Sequence, residues 1–125
     1  MEVSREVRSG IAWFEARGEC TLVEAVELVR LAITWCREQA ISKLLFDGRG
    51  FVGVPVPNLV DRFLMVEDWA AAASGMVLVV LVVRPEYIHP QKFGVKVAAT
   101  FGLTADVHTS EIDAVAWLTG LGDRA

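Results

Sequence analysis

Eight consecutive apolar residues, Met76 to Val83, constrain this chain more than any other stretch. Met-Val-Leu-Val-Val-Leu-Val-Val is rich in β-branched side chains and has no polar face to turn to water. Such a run is a strand buried on both faces, inside a sheet that helices cover from both sides. Arg84-Pro85 ends it. The run is too short to cross a membrane, which takes about 20 apolar residues. Apolar residues make up 54% of the chain, as a sheet covered on both sides requires. With 125 residues, the chain is expected to form a single domain, 1–125, large enough to bury a core without disulfides or metals.

The other elements follow from capping and periodicity. Glu2 to Arg8 alternates loosely and reads as a polar edge strand, with Val3 and Val7 facing inward. Ser9-Gly10 is a two-residue turn into a second strand, Ile11 to Arg17, with Trp13 and Phe14 on opposite faces. Thr21-Leu-Val-Glu24 is a capping box, and a helix runs from it to about Gln39. Leu22, Ala25, Val26, Val29, Ala32, Ile33 and Cys36 share its core face. Ile41 to Phe46 is a third strand ending on Asp47, followed by a glycine-rich loop as far as Asn58. Asn58 and Asp61 start a second helix, which stops near Ala73 at Ser74-Gly75, with Leu59, Phe63, Val66, Trp69 and Ala70 inward. Pro90 opens a third helix that turns Phe93, Val97 and Phe101 inward and closes at Gly102. Ala105 to Thr109 is a last strand, with Asp106 and His108 on its outer face. Ser110 to Asp113 caps a final helix holding Ile112, Val115, Trp117 and Leu118, and a frayed tail is expected from Gly120 to Ala125. The order is ββαβαβαβα: an α/β fold with a mixed, mostly parallel five-stranded sheet and four helices.

Several residues are candidates for function. Loops that follow parallel strands gather at one sheet edge, so Asp47, Arg49, Arg84 and His89 are expected near the start of the second helix. There they form an anion or partner site, or else Asp47 caps loop amides or pairs with an arginine. Leu28, Leu31 and Trp35 form a second apolar stripe on the first helix, which marks a homodimer or partner surface unless the tail or a neighbouring helix covers it. Asp106 and His108 read as a surface pair on an edge strand. Cys36 faces the core, whereas Cys20 precedes a helix start, where a thiolate is favoured. The two lie ~20 Å apart along the helix and form no disulfide. With His89 and His108 the only histidines, no zinc spacing exists, and neither a metal nor a cofactor is expected. A net charge of −4 without basic runs argues against nucleic acid. The N-terminus lacks the basic start and apolar run of a signal peptide, which places the chain in the cytoplasm.

The element order resembles the SpoIIAA-like fold of STAS domains and anti-sigma-factor antagonists. Ile41 to Asp47 followed by glycines resembles that family's third strand, and Ala114-Val-Ala-Trp-Leu118 resembles the ending of its bacterial STAS/SEC14-like members. The resemblance implies a non-enzymatic protein-interaction or regulatory module. It departs at one point. Members switched by phosphorylation carry a hydroxyl residue after the aspartate, and here Gly48-Arg49-Gly50 follows, with no hydroxyl from Gly48 to Asn58. The SEC14-related side of the fold implies an alternative: a carrier or sensor of a lipid or other apolar molecule, with Phe51, Val60 and Leu64 lining a pocket beneath the second helix.

Overall fold

The computed structural model describes residues 1–123. Strands β1 (Glu2–Arg8), β2 (Ile11–Glu19), β3 (Lys43–Val52), β4 (Leu78–Val82) and β5 (Ala105–His108) form one sheet in the order β1-β2-β3-β4-β5. β1 runs antiparallel to β2, and the remaining pairs are parallel. Four helices accompany them: α1 (Leu22–Glu38), α2 (Leu59–Ala73), α3 (Phe93–Thr100) and α4 (Glu111–Asp123). The expected fold class and element order are those observed.

Strand order and handedness together decide where the helices lie. Each parallel strand is laid down next to its predecessor on the same side, so right-handed crossovers put every connecting helix on one face. α1, α2 and α3 accordingly share one core with Phe14, Leu44, Phe46 and Val79. α4 alone packs on the opposite face, where Ala114 and Leu118 meet Ile11, Leu45, Val80 and Val82. Trp13 and Phe14 face opposite sides, as expected.

Local signals are realised at the element ends. Thr21 with Glu24 and Asn58 with Asp61 both form reciprocal capping boxes. Ser9 and Gly10 both take positive φ, the type I′ geometry that matches strand twist. The Trp69 indole donates to the Val26 carbonyl at 3.0 Å, fixing α2 against α1.

Six readings are corrected. β3 does not stop at Asp47 but continues through the glycines to Val52. Gly48 and Arg49 together oppose Ala16, a bulge between the Glu15–Asp47 and Arg17–Gly50 pairs. Glycine is required at Gly50, since a Cβ there would stand 2.6 Å from that of Arg17. Val3 and Val7 are exposed, on an edge strand whose contact with α1 is made by Arg5 over Trp35. α2 is rotated from its expected phase: Arg62, Val66, Trp69, Ala70 and Ala73 point inward, while Leu59 and Phe63 are exposed. In α3, Ala98 is the buried residue and Phe101 lies at the surface, and in α4 Ile112 is exposed. α4 also continues past Gly120 to Asp123, and the remainder of the expected tail, residues 124–125, lies outside the described residues.

Candidate functional site

Asp47 is 5% exposed and sits where the bulge begins. Its Oδ1 accepts from the Arg49 backbone amide and from Arg49 Nε, both at 3.0 Å, and its Oδ2 accepts from Arg49 Nη2 at 2.7 Å. The same Nη2 reaches Glu111 Oε1 at 3.3 Å, at the start of α4. Hydrogen bonding to Asp47 raises the Arg49 pKa further above its ordinary value. This corner therefore ties the bulge of β3 to α4 on the side opposite α1, α2 and α3.

Arg84 and His89 follow β4, whose C-terminal end shares a sheet edge with that of β3. Arg84 lies 3.3 Å from Glu86, donates to the Tyr87 hydroxyl at 3.2 Å and lies over the Tyr87 ring. His89 Nδ1 accepts from the Gln91 amide at 3.1 Å. Arg49 thus stands beside Asp47 and Glu111, and Arg84 beside Glu86.

Asp106 stands between Lys92 Nζ at 2.7 Å and His108 Nε2 at 3.1 Å. β5 is an edge strand, but the expected surface pair is mostly covered, with the His108 and Asp106 side chains 23% and 15% exposed. Cys36 is buried, and burial pushes its thiol up to about 12. Cys20 is half-buried, and its thiol is raised first by burial and then by Glu24, against the expected helix-start effect. Among the described residues no group of three or more His, Cys, Asp and Glu could hold a metal, and no helix is long and apolar enough to cross a membrane.

The stripe on α1 is divided. Leu31 is 50% exposed, but Leu28 and Trp35 pack partly against the core. Trp35 meets Phe14 edge-on at 5.7 Å and lies under the Arg5 guanidinium at 4.3 Å. The β1–β2 hairpin thus covers what the helical wheel alone leaves bare.

α2 carries the larger exposed surface. Leu59, Val60, Phe63 and Leu64 are all exposed and fall on one side at helical spacing. Phe101, from the end of α3, extends this face by stacking edge-on to Phe63 at 5.4 Å. Val60 and Leu64, expected to line an inner pocket, point outward at 66% and 55% exposure. The turn of α2 that buries Arg62 is what moves them there.

A cavity of about 140 Å³ does lie beneath α2, and Phe51 lines it with Phe46, Val66, Trp69 and Val79. Arg62 is part of its lining and is 8% exposed. Arg62 Nε donates to the Pro57 carbonyl at 3.1 Å and Nη1 to the Tyr87 carbonyl at 3.0 Å. Burial lowers its pKa. Sequence reading missed this residue, because a charge is ordinarily assigned to the wet side of a helix. The available signal was spacing: Arg62 lies four and seven residues before Val66 and Trp69.

Two comparisons place the fold. The chain is similar to the crystal structure of an anti-sigma factor antagonist from Mycobacterium paratuberculosis, with a TM-score of 0.60 and 16% identity over 94% of this chain and 93% of that one. It is also similar to the anti-sigma factor antagonist SpoIIAA in its unphosphorylated form, with a TM-score of 0.52 and 16% identity over 95% and 99%. No protein-family model and no curated protein matches the sequence. The fold is that of SpoIIAA.

Proposed function

We propose that the chain is a non-enzymatic module that docks another protein through the outer face of α2. The observation that carries this reading is the contiguous apolar face of Leu59, Val60, Phe63 and Leu64, extended by Phe101. Large apolar side chains gathered on one exposed helix face mark interaction surfaces, and aromatic groups among them serve as anchors. Structural similarity to two anti-sigma factor antagonists supports a regulatory partner. The absence of a hydroxyl from Gly48 to Asn58 favours regulation by something other than phosphorylation of that segment. The α1 stripe offers less surface for a homodimer, since Leu28 and Trp35 are partly covered.

The test compares Leu64→Glu with Ile112→Glu, an equally drastic change at an exposed residue on the opposite face. Both variants keep the parent circular dichroism spectrum. A partner recovered quantitatively by the parent and by Ile112→Glu is lost by Leu64→Glu. Equal recovery by all three proteins removes α2 as the docking face. A shift of Leu64→Glu alone from dimer to monomer in sedimentation identifies the partner as a second copy of the chain.

A further inference from the structure

The cavity beneath α2 has apolar walls and an incomplete set of charges. Arg62, Tyr87, His89, Lys92 and Asp106 are its ionisable lining residues. Lys92 already holds Asp106 at 2.7 Å. Arg62 has no carboxylate partner among the described residues; its two bonds go to carbonyls, which carry partial negative charge only. Its Nη2 has no hydrogen-bond partner among the described residues, yet it is not among the fully enclosed unpaired atoms. A donor of a buried cation is therefore left over and can be reached.

Burying a guanidinium costs several kcal/mol unless an anion compensates it. Folding has already supplied that desolvation here, so an arriving carboxylate meets a cation held in place. Arginine suits this role because its planar fork matches a carboxylate. Size narrows the class further. A dry apolar cavity of about 150 Å³ accommodates benzene, and this one is about 140 Å³.

We propose that the cavity binds a small carboxylic acid whose apolar body is the size of one six-membered ring. The ring packs among Phe46, Phe51, Val66 and Trp69, and the carboxylate accepts from Arg62. This inference is independent of the docking face, because Arg62 and Leu64 stand on opposite sides of α2.

Phenylacetate and its neutral counterpart phenylacetamide, titrated into the full chain by calorimetry, test it. Phenylacetate binds saturably, and the amide binds about tenfold or more weakly, the cost of losing a charge-assisted bond. Decanoate, too long for the cavity, binds no more tightly than phenylacetate. Arg62→Met brings the acid down to the affinity of the amide, whereas Ile112→Glu, at an exposed residue of α4, leaves the preference unchanged. Equal binding of acid and amide by the parent, absence of saturable binding, or tighter binding of decanoate overturns the proposal. If Arg62→Met does not fold, the parent's acid-to-amide ratio still decides.

Discussion

Asp47 and Arg62 are buried charges on opposite sides of one sheet, and the fold treats them differently. Asp47 is enclosed by its own counter-charge: three donors of Arg49 meet its two oxygens, within two residues of chain. Arg62 is enclosed by backbone carbonyls from two separate loops and meets no carboxylate among the described residues. The first arrangement is closed and local. The second leaves Nη2 without a hydrogen-bond partner among the described residues, on a side chain that lines a cavity. One buried charge completes the architecture, and the other is available to something outside the chain.

The contrast breaks most severely at Arg62→Glu. A carboxylate against the Pro57 and Tyr87 carbonyls, where the arginine donated to both, should destabilise by about 4 kcal/mol or more. A large fall in the urea midpoint is expected; a midpoint within error of the parent would show that residue 62 can swing to solvent. Arg49→Ala should cost about 2 kcal/mol, below the roughly 3–5 kcal/mol for orphaning one member of a fully buried pair, because the Arg49 side chain is itself 41% exposed. The measurement is the urea midpoint, and a midpoint within error of the parent would mean that Asp47 is satisfied without the Arg49 side chain.

Cys36 sharpens the comparison with a buried group that stays neutral. Its folded pKa is raised from 9.0 to about 12. Below pH 9 the thiol is protonated in both states. Between pH 9 and about 12 only the unfolded chain releases the proton, so stability falls as pH rises. At pH 10 this amounts to about 1.4 kcal/mol, one unit of linkage. Cys36→Ala should flatten the fall in midpoint between pH 9 and 11, and parallel pH profiles would assign the fall to other groups.

Element order was legible because its signals are local. Both capping boxes, the Ser9-Gly10 turn and the Met76–Val83 run each announce an element within a few residues. The misses depend on neighbours far along the chain. Gly48 and Gly50 read as a loop, since glycine usually marks one, but β2 extends to Glu19 and pairs with a β3 that reaches Val52. Leu59, Val60, Phe63 and Leu64 give α2 two plausible apolar sides, and periodicity alone cannot choose between them. Contact with α1 and α3 makes the choice, and it brings Arg62 inward.

The strand order has a further consequence, for how the chain is made. Each strand pairs with the one before it in sequence, from β1 to β5. No strand waits for a partner encoded much later, and each helix docks on a sheet edge that already exists. Loop-closure entropy is therefore spent in small steps. A ribosome releasing this chain from its N-terminus presents the pieces in the order of assembly, so the nascent protein can grow by accretion, one βα unit at a time.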